Sequence, residues 1–260
     1  MEHDPGGIRT VAVTRYVTPL REGGSLPAVV EADDSFLYAL KFRGAGQGVK
    51  ALIADLVGGE LARAIGLKVP EIVYAEVDPA FGRTEPDEEI QDLLKASSGL
   101  NLALHYLEGA FAFDPTVTPV APMLASKIVW LDNFLMNVDR TVRNTNLLVW
   151  KKELWLIDHG AALYFHHGWE GWEATSRKPF SQLKDHVLLR QATELEGADR
   201  EIRAILTPDR IGSVVALIPD DWLVSTEDLA PAESRAVYHQ FLLNRLAAAA
   251  NIQNEARHAG

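Results

Sequence analysis

The chain has 260 residues, 47% of them hydrophobic and 23% charged, enough for one large domain or two lobes around a real core. Its net charge of -11 argues against a broad nucleic-acid surface, which needs clustered Lys and Arg facing phosphates. With no Cys there can be no disulfide, thiolate nucleophile or Cys-based zinc site.

The opening "MEHDPGGIRT" lacks the basic start and apolar run of a signal peptide, and no apolar stretch approaches the roughly 20 residues that span a bilayer. These features predict a soluble, cytoplasmic protein. The β-branched content of 10–20 predicts a strand, and "REGGSLP" (21–27) a Gly-Gly turn. Residues 28–42 read as a hairpin bending at 32–34. After the loop 43–48, apolar residues from Val49 to Ile65 recur at helical spacing, with Gly66 and Pro70 fitting the end of that helix. A further strand is predicted at 71–77 and a strand followed by a turn over 99–110, with a short helix from Glu85 to Ala96 between them.

From 123 onward the pattern turns helical. Helices are predicted at 123–136, 181–195, 199–206, 208–217 and 231–256, interrupted by a small hairpin, "NLLVW" and "LWLID", turning at Lys151–Glu153. The chain therefore divides into a strand-rich part (1–107) with one main helix and a mostly helical part (108–260).

Between two core-like segments stands "NVDRTVRNTNLLVW" (137–150), an unusual insertion of polar groups. Asn144 lies five residues beyond Asp139, and Asp158 ends the strand that follows. The hairpin brings Asn144 and Asp158 to one end of a small sheet. An Asn carbonyl and a carboxylate there are hard oxygen ligands, suited to Mg²⁺ that also holds phosphates. Asp139, left off the metal, is placed to orient or deprotonate an attacking hydroxyl.

This order of Asp, Asn and "IDHG" resembles the catalytic loop and metal-binding segment of the protein-kinase-like fold. The form "N-x-D-R" is similar to the HipA-like kinases and, more distantly, to the phosphatidylinositol kinases. The resemblance implies a two-lobed α+β kinase-like fold. It also implies that Lys41 of "LYALKF" binds the ATP phosphates and that Glu60 pairs with it. "LALHYLEG" then supplies the hinge, so that Leu104, His105, Tyr106 and Leu107 receive adenine. Gly23, Gly24 and Ser25 stand where a phosphate-covering loop is expected, but lack the G-x-G-x-x-G spacing. No Ala-Pro-Glu follows "IDHG".

Each of these residues also has a plain structural reading. Asp139 alone fits a cap or turn, Lys41 an exposed strand face, Glu60 a solvated helix face, and 23–25 a simple hairpin turn. Asn146 fits a hairpin cap or a support for Asn144, and Arg140 a loop brace or a phosphate contact. His166 and His167, read as strand neighbours, point to opposite faces, which disfavours a shared zinc. The aromatic run 164–173 reads as a packed loop or a partner-facing surface.

The expected activity is transfer of the γ-phosphoryl group of Mg-ATP to a hydroxyl acceptor, Ser or Thr of a protein. The alternatives are a pseudokinase-type binding module, a lipid or small-molecule kinase, and an AMP transferase.

Overall fold

Alternation in "TVAVTRYVT" builds the first strand, β1 (Thr10–Pro19), with Val11 and Val13 buried and Thr10, Ala12 and Thr14 exposed. The computed structural model describes residues 7–20, 27–46, 48–81, 87–224 and 229–248. Gly23, Gly24 and Ser25 lie outside these residues. Strands β2 (Ala28–Ala32) and β3 (Leu37–Lys41) form the expected hairpin, with Val30 opposite Tyr38 and Ser35 in the left-handed region at the bend. β4 (Ile72–Val77) and β5 (Gly99–His105) complete a closed barrel ordered β1-β2-β3-β5-β4. Closure comes from parallel pairing of β1 with β4, which period-2 patterning does not announce.

Helix α1 (Val49–Ala64) has every residue from Leu52 to Ala62 buried, so it is a core helix rather than a surface one. Its residues share one hydrophobic cluster with Leu102 and Leu104 of β5 and with the later helices, while the barrel interior forms a second cluster. The core thus crosses the expected boundary at 107. Helix α2 (Glu88–Ala96) is capped by Asp87, whose carboxylate accepts the Glu89 and Ile90 N–H groups.

Strands β6 (Phe111–Ala112), β7 (Leu147–Trp150) and β8 (Glu153–Leu156) form a three-stranded sheet; only β6 was not expected. Helix α3 (Pro122–Leu135) starts on Pro and ends at Met136, whose φ of 55° reverses the chain into the polar loop. The last part holds α4 (Trp172–Ser176), α5 (Leu195–Ile205), α6 (Pro208–Val215), α7 (Asp220–Val224) and α8 (Pro231–Ala248).

Two expectations need correcting. The helix predicted over 181–195 is instead two 3₁₀ turns, Ser181–Asp185 and Leu189–Gln191, because His186 and Val187 pair with the Arg140–Thr141 backbone. His166 and His167 lie in a 3₁₀ turn, Tyr164–His167, not on a strand; His166 is buried and bonds Tyr238 at 3.0 Å.

Two contacts tie the helices to the barrel. Trp222 of α7 donates to Leu100 O at 3.0 Å, and the Tyr74 hydroxyl of β4 donates to Leu217 O. No helix among the described residues is long and apolar enough to cross a membrane.

Candidate active site

Strand alternation sets the direction of Lys41: Tyr38 and Leu40 enter the barrel core, and Lys41 leaves on the other face of β3. Its ammonium donates to Asp55 Oδ2 at 2.6 Å and to Asp158 Oδ1 at 2.7 Å. Two of its three donors are used, which leaves one for a ligand. Burial opposes a charged Lys41, but Asp158 and Asp55 outweigh it and raise its pKa. The Lys41 charge in turn draws Asp158 down to about 2, while burial pushes Asp55 up to about 6. Asp158 therefore stays ionised, and Asp55 is the carboxylate that takes up a proton first on acidification.

Asp55 also accepts the His159 N–H through Oδ1 at 2.6 Å, so α1 is joined both to β3 and to the segment after β8. Gly58, on the same face of α1, allows this approach. A Cβ added there would lie 2.7 Å from His159 Cβ. Burial lowers the His159 pKa to about 3, so it packs against α1 as a neutral ring. Asp158 itself has φ 54°, in the left-handed region, at a cost of about 1–3 kcal/mol that the surrounding bonds must offset. Its Oδ1 accepts the Gly160 N–H at 3.3 Å, and its carbonyl accepts from Asn146 Nδ2 at 3.4 Å.

Asp139 follows the α3 reversal, where Asn137 Oδ1 accepts its N–H at 3.2 Å. Asp139 Oδ2 accepts from Asn144 Nδ2 at 2.7 Å and from Asn146 Nδ2 at 3.4 Å. Burial raises its pKa, the Asp158 charge adds to this, and the two Asn bonds oppose it. Asn146, in the left-handed region with φ 48°, thus bridges Asp139 and Asp158.

Beneath the loop lies a buried ionic knot. Asp132 Oδ2 accepts from Arg140 Nε at 2.6 Å and meets His186 Nε2 at 2.9 Å, while its Oδ1 accepts from Asn137 at 2.8 Å. The Leu188 N–H donates to His186 Nδ1 at 3.0 Å, so Nε2 carries the proton facing Asp132. Arg140 extends to the Asn146 and Ile157 carbonyls. Burial would raise the Asp132 pKa, but Arg140 and His186 hold it well below the usual carboxylate range. Arg140 is therefore the loop's brace, one of the two roles its sequence position allowed.

A model of the family described as HipA-like kinase matches residues 13–251, nearly the whole chain. The chain belongs to the HipA-like kinase family. It is a kinase-type phosphotransferase by that membership. A Helicobacter pylori proinflammatory kinase, CtkA, has a similar fold: TM-score 0.55 at 13% identity, covering 96% of this chain and 99% of that one. A Golgi casein kinase solved with Mn/ADP matches at TM-score 0.44 and 12% identity, over 94% of this chain and 73% of that one. No curated protein matches the chain.

In this HipA-like kinase Lys41, Asp139, Asn144 and Asp158 meet in one hydrogen-bonded set completed by Asn146. Glu60 does not join it. The α1 carboxylate that accepts from Lys41 is Asp55 and not the expected Glu60, because five residues along a helix turn the side chain well away from the Lys41 face. Glu60 instead lies 3.5 Å from Arg63.

At the expected hinge, His105 N–H is committed to Glu71 O and Tyr106 N–H to Leu37 O, both at 2.8 Å, and the Leu104 side chain is core. His105 and Leu107 line a cavity of about 250 Å³ with Phe36, Pro70, Glu71, Trp150 and Trp155, and Lys41, Asp139, Asn144 and Asp158 are not part of its lining.

Sequence reasoning missed Asp55, Asp132 and His186. An Asp inside the apolar run "IVWLDNFLM" was the available signal for Asp132, since a buried carboxylate requires partners.

Proposed function

We propose that this chain transfers the γ-phosphoryl group of ATP to a hydroxyl, that of Ser or Thr in a protein, in the cytoplasm. Residues 1–107 and 108–260 act as two lobes with ATP between them. The observation that carries this reading is the Lys41 ammonium held 2.7 Å from Asp158, whose carbonyl is linked through Asn146 to Asp139. One continuous set of bonds thus spans a phosphate-binding cation, a metal-binding carboxylate and a base.

Lys41 would present its third donor to the ATP phosphates. Mg²⁺ fits the donors present: Asn144 spends its Nδ2 on Asp139 and keeps Oδ1 as an acceptor, and Asp158 keeps Oδ2 while Lys41 and Gly160 take Oδ1. Two hard oxygens suit an ion that completes its shell with phosphate and water, and its charge offsets that of the phosphates. The Leu107 N–H is the hinge donor left for adenine once those of His105 and Tyr106 are committed. Gly23, Gly24 and Ser25 would cover the phosphates.

The acceptor oxygen bonds to the γ-phosphorus as the bond from that phosphorus to the β,γ-bridging oxygen breaks. ADP leaves with the electron pair, and the hydroxyl proton passes to Asp139, whose Oδ1 is not engaged by Asn144 or Asn146. Burial makes Asp139 a stronger base than an exposed carboxylate.

Titration calorimetry of ATP, with and without Mg²⁺, on wild type and Asp158→Ala tests the reading. The expected result is Mg²⁺-dependent binding that the variant loses. Equal Mg-ATP binding by both proteins would remove the metal assignment, and no binding by wild type would remove the enzyme.

A further inference from the structure

In a chain of net charge -11, many of the described cations are matched by carboxylates. Arg9, Arg15, Arg43, Lys68, Lys127, Arg203 and Arg235 each lie within 3 Å of a carboxylate. Arg143 and Lys184 are among the described cations without such a partner, as are the exposed Lys152, Arg177, Lys178, Arg190 and Arg200, and what sets the first two apart is their place at the Asp139 loop. Both are exposed, and neither has an ion pair or side-chain hydrogen bond among the described residues.

Their placement is built by the catalytic loop. Thr141 forms an antiparallel bridge with His186, and the Val187 N–H donates to Arg140 O at 3.1 Å. Arg143 lies two residues after Thr141 and Lys184 two residues before His186, so the bridge carries both toward its same end. Asp132 anchors the two sides from below through Arg140 and His186. Arg143 also precedes Asn144, whose side chain touches Asp139 at 2.7 Å. Two exposed cations therefore stand on the bridged segments that flank the base which would receive the acceptor's proton. Asp185, also exposed, is the acid adjoining them in sequence.

The same loop exposes apolar surface: Val142 is 68% exposed and Val138 37%. Apolar and cationic groups side by side match the mixed surface of a polypeptide better than a bare phosphate. We propose that Arg143 and Lys184 select a protein acceptor whose Ser or Thr is flanked by acidic residues. This inference rests on the kinase reading above and names its substrate class.

The test uses the full chain with Mg-ATP and three Ser peptides that differ only at the flanking positions, Glu, Gln or Lys. The phosphate transferred is followed by mass, beside calorimetry of Mg-ATP binding. Two exposed ion pairs together give a preference of about tenfold in kcat/KM for the Glu peptide over the Gln peptide. The double variant Arg143→Glu, Lys184→Glu should bind Mg-ATP as wild type does and favour the Lys peptide.

Equal rates on all three peptides would overturn the proposal, as would a preference that survives charge reversal. So would a protein that binds Mg-ATP yet phosphorylates none of the peptides, or prefers vesicles containing a phosphoinositide. Absence of Mg-ATP binding removes the kinase reading itself, and is thereby distinguished from these outcomes.

Discussion

Lys41 and Asp55 meet at 2.6 Å, and this contact fastens β3 to α1 while the other Asp55 oxygen holds the His159 N–H. Without Asp55 the buried Lys41 charge keeps Asp158 alone, so the loss should fall below the roughly 3–5 kcal/mol of a fully broken buried pair. Asp55→Ala should therefore lower both thermal stability and Mg-ATP affinity, the latter at least tenfold. Glu60→Gln should change Mg-ATP affinity less than threefold. Calorimetry on the two variants decides the matter, and equal losses would return Lys41 to a shared partnership.

Asp139→Asn keeps the shape of the loop but accepts no proton. Mg-ATP binding should stay within about threefold of wild type while phosphoryl transfer falls at least a hundredfold, the usual range for a lost general base. A single-turnover rate matching wild type would take Asp139 out of the chemistry.

Stability should depend on pH through Asp132. Its folded pKa is depressed, so its contribution is present above the unfolded value, near 3.9, and fades as pH falls toward the lower folded value. Asp132→Asn should be less stable than wild type at pH 7 by about 3–5 kcal/mol, with the difference shrinking below pH 4. Urea unfolding at pH 7 and pH 3 measures both. A difference that does not shrink on acidification would mean that the Asp132 charge is not what stabilises the loop.

Gly58→Ala sets two effects against each other. Ala gains about 1 kcal/mol of helix propensity over Gly, but the new Cβ would sit 2.7 Å from His159 Cβ, where neither backbone has slack. Overpacking of this kind costs about 1–3 kcal/mol. Net destabilisation is expected, relieved when His159→Ala is added. Denaturant unfolding of the single and double variants checks it, and a more stable single variant would show that the two segments can separate freely.

The order of the polar site was legible because chemistry restricts residue type: Asp139, Asn144 and Asp158 interrupt apolar segments where a core alone has no use for them. Which carboxylate of α1 serves Lys41 was not legible. Asp55 and Glu60 occur on one buried helix, and only the direction from which β3 approaches selects between them. The 181–195 segment misled for a related reason. Leu183, Val187, Leu188 and Ala192 fit a helical face, yet the backbone there is claimed by Arg140 and Thr141, a long-range pairing that no local period records. Barrel closure through the parallel β1–β4 contact was hidden in the same way.

Arg245 of α8 donates to the Asn133 and Phe134 carbonyls at the end of α3 and to Lys178 O, across as many as 112 positions of sequence. These carbonyls immediately precede the turn that delivers Asp139. During synthesis on the ribosome, the barrel, α1 and the Asp139 loop all emerge well before the residue that secures this turn. A nascent chain would thus carry Lys41, Asn144 and Asp158 while the turn before Asp139 is still unsupported. The site would be completed late in translation, as a property of the finished helix packing rather than of the motif.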